Sequence, residues 1–462
     1  MLLSKKQLTT LAHLTKRPLV AGALILTSAN ILSRIIGFLF RIFLSDSIGA
    51  EEFGLYQLFL PIIFLGHSIC TSGFEVALTK GIAACQTSPS HNQKNCRKRF
   101  FIATFYAVSL SLILSVCLYL NRYYISARFL TDIRCASCFI WLIPILPLSA
   151  IHDCICGYFL GFRNAKPLAI SQLFEQIARV LSIFALFYLL RYLGLSVDFS
   201  VAVIGNFFGE LCACIFCLAL FHKHNPFESD SQKSPGASAL FRYSIRKLIR
   251  SAESKSILYI AIPISFNHLL VSILSSICQI LIPFCLGAYG LSASEALSQY
   301  GLMVGLVLPL LLFPETFIQS IAQMLIPSFA RISGPNQQHS VRNTARLSFR
   351  FSVFFGCMFT ILFCVFHQPI AIFLHNKEAG QYILKLALLC PMIYASTSLS
   401  GILTGLGYSS KILLYNVLTS IIRILLTVYL VPRIGMDGYI VTLLLSSFVN
   451  LLLHAKATCF CR

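Results

Sequence analysis

The chain has 462 residues, of which 57% are hydrophobic and 11% charged, and 36 Lys and Arg against 16 Asp and Glu give a formal net charge of +20. With a mean hydropathy of +0.80, this excludes an ordinary soluble domain, in which about a quarter of residues are charged. It also argues against a nucleic-acid partner, because the basic residues lie between apolar segments, where they mark the cytoplasmic face and anionic lipid.

A membrane-spanning helix needs about 20 mostly apolar residues. Twelve such stretches follow one another, near residues 19–44, 54–79, 100–120, 138–160, 168–190, 199–221, 256–286, 300–326, 347–366, 381–406, 412–431 and 438–455. The expected fold class is an all-α polytopic membrane protein.

The first stretch is too long for a cleaved signal peptide, lacks a small-residue cleavage site, and carries two arginines, Arg34 and Arg41. A charge at the bilayer centre costs roughly 2.5–3.5 kcal/mol on insertion scales, so such arginines face a cavity or a partner. Asp46, Glu51 and Glu52 follow within reach of Arg41. Glu75 stands near the inner end of the second stretch. Cys135 and Cys138 form a C-x-x-C at the start of the fourth, without the context of a redox domain. Glu175 and Arg179, spaced i,i+4 in the fifth, share a helix face and can pair, as a local ion pair or as substrate ligands. The cysteines inside spans, such as Cys212, Cys214 and Cys217, read as small apolar residues. No metal site and no cofactor are expected.

After a basic connection over 222–255, the seventh stretch contributes Asn267, His268 and Gln279. His268 reads either as a satisfied interior histidine or as a proton carrier. Pro309 and Pro314 precede Glu315 in the eighth, where freed carbonyls are tolerated if they are buried in protein or line water. Arg34 and Glu315 fall at similar depths, roughly 22 and 18 Å from the cytoplasmic ends of their helices, so they form an expected pair. Lys385 in the tenth stretch can snorkel, and Arg423 in the eleventh has Thr419 where Arg179 has Glu175.

Lys and Arg set orientation. With the N-terminus inside, 24 of the 36 fall in cytoplasmic segments, so both termini are expected in the cytoplasm. The second half also repeats the first. At an offset of 247, Gly54-Leu55 falls on Gly301-Leu302 and Arg99 on Arg346; at 244, Pro147 falls on Pro391, Gly157 on Gly401, Gly161 on Gly405 and Arg179 on Arg423. The expected organisation is a cytoplasmic N-terminus (1–18), a six-helix bundle (19–221), a cytoplasmic linker (222–255), a second six-helix bundle (256–455) and a cytoplasmic C-terminus (456–462). Six helices being even, the bundles are expected to be related by a pseudo-two-fold along the membrane normal, a transporter plan. The glycine pairs match the small-xxx-small pattern of close helix packing.

Ser33-Arg34-x-x-Gly37-Phe38-x-x-Arg41, followed by Ile48-Gly49-Ala50-Glu51-Glu52-Phe53-Gly54-Leu55-Tyr56, resembles the opening of oligosaccharide flippases of the multidrug/oligosaccharidyl-lipid/polysaccharide superfamily, the stage V sporulation protein B branch above all. The resemblance implies a non-enzymatic, monomeric transport unit in a bacterial plasma membrane. It implies a polyprenyl-pyrophosphate-linked sugar, such as a peptidoglycan or polysaccharide precursor, as substrate. It also implies that Arg34 and Arg41 line a cationic cavity, a role guanidinium forks suit because they bond phosphate oxygens in pairs. Unlike many such flippases, this chain has no room for two further C-terminal helices. The wider set of cavity candidates is Arg34, Arg41, Glu315, Arg179, Arg423, Asn267 and His268; Glu75, Glu175 and Glu315 are the candidate coupling carboxylates, for a proton or sodium ion. The competing functions are a multidrug and toxin extrusion-type cation antiporter, which calls for an acidic cavity, and a membrane glycosyltransferase or polymerase, which calls for catalytic carboxylates or a large interfacial loop.

Overall fold

In a computed structural model the described residues are 18–87, 93–223, 252–330 and 338–460; most of the 222–255 linker and the chain ends lie outside them. Among these residues there is no strand. The first half runs through α1 (Pro18–Ile48), α2 (Ala50–Cys70), α3 (Ser72–Thr87), α4 (Gln93–Leu120), α5 (Arg122–Arg128), a 3-10 segment (Ile133–Trp141), α6 (Leu142–Gly161), α7 (Lys166–Tyr192) and α8 (Ser200–Lys223). The second runs through α9 (Ala252–Tyr289), α10 (Ala293–Tyr300), a π-helical turn (Gly301–Val307), α11 (Leu308–Leu312), α12 (Glu315–Ala330), α13 (Gln338–Phe373), α14 (Lys377–Leu386), α15 (Leu389–Gly405), α16 (Ser409–Ile434) and α17 (Met436–Phe460). Among the described residues ten helices are long and apolar enough to cross a membrane, or eleven if α14 and α15, bent by 53°, make one span. The 31-residue α1 covers the first of the twelve expected spans.

Local chemistry explains the joints. Between α1 and α2 the backbone turns at Gly49 with φ +87°, open to glycine and strained for a residue with a side chain. Glu51 and Glu52 then occupy the first turn of α2, where acidic groups meet the positive end of the helix dipole. Ser292 and Glu295 close a capping box at α10, and Asn376 caps α14. Pro314 stands at the break before α12.

The chain divides into two compact units, residues 1–37 with 62–272, and 38–61 with 273–462. These differ from the bundles 19–221 and 256–455 expected from sequence: α1 changes unit after Gly37, and α9 after Ser272. The reason lies inside the second unit, where 38–61 packs on the π-helical turn and its neighbours. A Cβ on Gly54 would lie 2.1 Å from the Leu297 carbonyl oxygen, one on Gly301 2.8 Å from the Gly54 Cα, and one on Gly305 2.3 Å from the Phe53 ring. Tyr300 donates to the Gln57 carbonyl (3.3 Å) and Ser294 to Glu51 (2.6 Å).

The small-xxx-small glycines pack as expected, and the same approach is built twice. In the first unit a Cβ on Gly157 would meet the Glu75 backbone oxygen at 2.9 Å; in the second, one on Gly401 would meet the Ala322 Cβ at 2.6 Å. Glu75 and Ala322 are equivalent at the 247 offset, and Gly157 and Gly401 at the 244 offset. Gly161 fits against Ile82, whose Cβ a side chain would approach to 2.7 Å, whereas nothing lies within 4 Å at Gly287. Overpacking costs about 1–3 kcal/mol. Gly161→Val should therefore lower the thermal midpoint of the detergent-solubilised protein, and Gly287→Ala should leave it unchanged.

Candidate functional site

The first unit collects ionisable groups from five helices at membrane depth. His67 on α2 pairs with Asp153 on α6 (Nε2 to Oδ2, 2.8 Å), and the Thr71 hydroxyl, 3.2 Å from the His67 Nδ1, donates to the His67 carbonyl. On the same turn of α6, His152 meets Glu210 of α8 through Nδ1 (3.0 Å) and Ser171 of α7 through Nε2 (3.0 Å). Glu75 on α3 lies within Coulombic range of Asp153, His67 and His152. Oxygens of Glu175 and Glu210 approach a His152 nitrogen within 4.8 Å. Arg179 pairs with Glu175 and takes a further bond to Gln176 at 3.1 Å. The His152–Glu210 pair is the buried end, at 5% and 12% side-chain exposure, and His67, at 43%, the open end.

Of the residues expected from sequence, the structure brings together Glu75, Glu175 and Arg179. Arg34 and Arg41 lie at i and i+7 on α1 with Gly37 at i+3, one face of the helix. In the first unit Gly37 sits against the Gln176 side chain, 3.1 Å from a notional Cβ, and Arg34, one turn before it, is exposed. In the second unit Arg41 donates to the Gly305 carbonyl (3.4 Å). Asp46 and Glu51, expected near Arg41, take His375 (2.6 Å) and Ser294. Arg34 and Glu315 fall in different units, and in its own unit Glu315 accepts from Thr397 (2.6 Å) at the start of α12. Arg423 finds its partner in Ser446 (3.1 Å), and Lys385 pairs with Asp437. Asn267 and His268 are exposed on α9.

Sequence reasoning passed over His67, His152, Asp153 and Glu210. The signal was present, since each is an ionisable group inside an apolar span, but only the fold shows that they converge.

The duplication supplies an internal control. At the offsets of 247 and 244, Glu75 corresponds to Ala322, His152 to Ser396, Asp153 to Thr397, Glu175 to Thr419 and Glu210 to His454. The Glu315–Thr397 bond stands, within one residue, where the first repeat has His67–Asp153. The second repeat makes the same glycine approach with Ala322 where the first has Glu75, so that approach does not require the carboxylate.

A family profile described as polysaccharide biosynthesis protein matches residues 19–333. The chain belongs to that family. It is 22% identical over 446 residues to stage V sporulation protein B of Bacillus subtilis (strain 168), spanning 96% of this chain and 84% of that one. It is 22% identical over 410 residues to sporulation protein YkvU of the same organism, spanning 88% and 86%. Among solved structures, the lipid II flippase MurJ in an inward closed conformation superposes with a TM-score of 0.70 at 11% identity, covering 94% of this chain and 87% of that one. An inward-facing multidrug resistance MATE family transporter of the MOP superfamily gives 0.67 at 12%, covering 95% and 98%. The polytopic all-helical fold and the flippase-superfamily resemblance read from the sequence are thereby borne out.

An ion pair at membrane depth leaves an uncompensated charge when one partner is removed, a cost on the order of 1–3 kcal/mol or more. Glu175→Gln and Arg179→Met should each lower the thermal midpoint in lipid nanodiscs. The double variant should recover part of the loss; additive losses would show that the pair is not coupled.

Proposed function

We propose that this family member is a lipid-linked oligosaccharide flippase of the bacterial plasma membrane. It moves the head group of a polyprenyl-pyrophosphate-linked sugar across the bilayer by alternating access, with both termini in the cytoplasm and one chain as the transport unit. The carrying observation is the α1 stripe Arg34–Gly37–Arg41: two permanently charged forks on one face of an apolar helix, with Gly37 against Gln176 and Arg41 on the Gly305 carbonyl. A diphosphate supplies the oxygens such forks bond in pairs. The relatives' names, a sporulation protein and a lipid II flippase among them, support the same substrate class.

In this reading Arg34 and Arg41 hold the diphosphate. Glu315, Arg423, Asn267 and His268 contribute polar surface from the second repeat and α9. Glu75, Glu175 and Arg179, with the His67–Asp153 pair, form the element whose charge state couples transport to an ion gradient. Flipping breaks and forms no covalent bond, so no catalytic residue is assigned.

The test is translocation of fluorescent undecaprenyl-pyrophosphate sugar in proteoliposomes. Wild type should move it, and Arg34→Ala and Arg41→Ala should each slow it at least tenfold, because bonds to charged groups contribute roughly 1.5–3 kcal/mol. Wild type that moves no such lipid but extrudes cationic dyes would replace the reading with the cation antiporter. Product formation without translocation would replace it with the polymerase.

Coupling is checked in the same vesicles. Glu75→Gln should abolish the response of the rate to an imposed pH or sodium gradient while leaving substrate binding intact. An unchanged gradient response would remove Glu75 from the coupling element.

A further inference from the structure

One cluster in the first unit is not used by the transport reading. His152 and Cys156 stand one turn apart on α6, and Cys217 approaches from α8; all three are buried, and their ligand atoms lie within 4.8 Å of one another. The Cys156 and Cys217 sulfurs are 3.9 Å apart. That is far from the roughly 2.05 Å of a disulfide, and it matches the spacing of two thiolates on one tetrahedral zinc, about 3.8 Å for Zn–S bonds near 2.3 Å.

The histidine is oriented for the same task. Its Nε2 faces the thiol side, where Ser171 Oγ lies 3.0 Å from Nε2 and 3.6 Å from the Cys156 sulfur. Its Nδ1 lies 3.0 Å from Glu210 Oε1. A carboxylate taking the far N–H of a ligating imidazole is the usual support of a metal-bound histidine, fixing its tautomer and raising its basicity. Two thiolates, one neutral imidazole and a divalent ion also sum to zero charge, which suits an apolar interior. The Ser171 hydroxyl stands beside the fourth position.

We propose that His152 Nε2, Cys156 Sγ and Cys217 Sγ form a binding site for one thiophilic d10 cation, zinc(II) or copper(I), with Glu210 as the positioning residue. On binding, each thiol gives its proton to solvent and its sulfur lone pair to the metal. The ion joins α6 to α8. It also holds His152 in one protonation state, withdrawing it from proton exchange and leaving Asp153 and Glu75 to that role. Sequence spacing hides the site, because an i,i+4 pair is completed from a helix 61 residues away.

The test uses the full-length protein, purified in detergent, stripped with chelator and kept reduced. Zinc(II), copper(I) under reductant and cadmium(II) as a spectroscopic probe are titrated separately. Expected are one equivalent bound, a thiolate-to-cadmium charge-transfer band and release of two protons. The band should vanish in Cys156→Ser and Cys217→Ser and persist in Cys96→Ser, a buried cysteine outside the cluster. Glu210→Gln should weaken binding tenfold or more while keeping the band. The tighter of the zinc and copper arms names the ion. Absence of the band in intact wild type, or a band unchanged in both cysteine variants, overturns the site; because the first criterion needs no variant, misfolding of a substituted chain cannot obscure it.

Discussion

The governing constraint is that a charge at membrane depth has no water to fall back on, so the protein itself must answer it. Desolvation costs several kcal/mol per ion, and attraction is correspondingly strong where the dielectric is low. The charges in both units are answered in this way: Arg179 meets Glu175, His67 meets Asp153, His152 meets Glu210, Glu315 accepts a hydrogen bond from the Thr397 hydroxyl, Arg41 reaches a backbone carbonyl and Arg423 a serine. Helix placement follows from these answers as much as from apolar packing. α6 cannot rotate without separating Asp153 from α2 and His152 from α7 and α8 together.

The duplication turns that constraint into an argument about function. Where packing alone is at stake, the repeats agree, as in the glycine approaches at Gly157 and Gly401. Where charge is at stake they part: the second repeat has Ala322, Ser396, Thr397 and Thr419 where the first has Glu75, His152, Asp153 and Glu175, and keeps ionisable groups in His454, in place of Glu210, and in Glu315, one residue from the His67 position. Insertion of a charged group is costly enough that the cheaper solution in the second repeat marks the first as retained for something else. The same comparison sets Arg179 and Arg423 apart. Arginine recurs at that position, but its acceptor is a carboxylate in one repeat and a hydroxyl in the other.

The fold was legible because hydropathy and glycine spacing are local, additive signals. The apolar runs and the repeat could be read one stretch at a time. The site was only half legible. Glu175 and Arg179 are four residues apart, so periodicity alone pairs them. His67 with Asp153, and His152 with Glu210, join helices separated by long stretches of chain, and no local rule finds them. The expected Arg34–Glu315 pairing rested on depth alone, and depth fixes one coordinate of three; within its own unit Glu315 accepts from Thr397. The compact units likewise escaped prediction, because a repeat boundary is a property of sequence whereas a packing boundary depends on which surfaces lack side chains.

That last point bears on how the second unit is built. When residues equivalent under a duplication touch each other, they sit where a two-fold would pass, since only there does an operation bring a residue onto its own neighbour. Gly54 and Gly301 are such a pair. Around them the contacts reciprocate in the manner of an isologous interface: Tyr300 reaches Gln57, and Phe53, the counterpart of Tyr300, lies against Gly305, one residue past the counterpart of Gln57. Both strands of the seam need a residue without a Cβ at the crossing, so glycine is required twice. The tyrosine hydroxyl breaks the symmetry by finding a carbonyl that its phenylalanine counterpart cannot use. The seam holds through backbone proximity, through the Phe53 ring against Gly305, and through hydrogen bonds from Tyr300 to the Gln57 carbonyl, from Ser294 to Glu51 and from Arg41 to the Gly305 carbonyl.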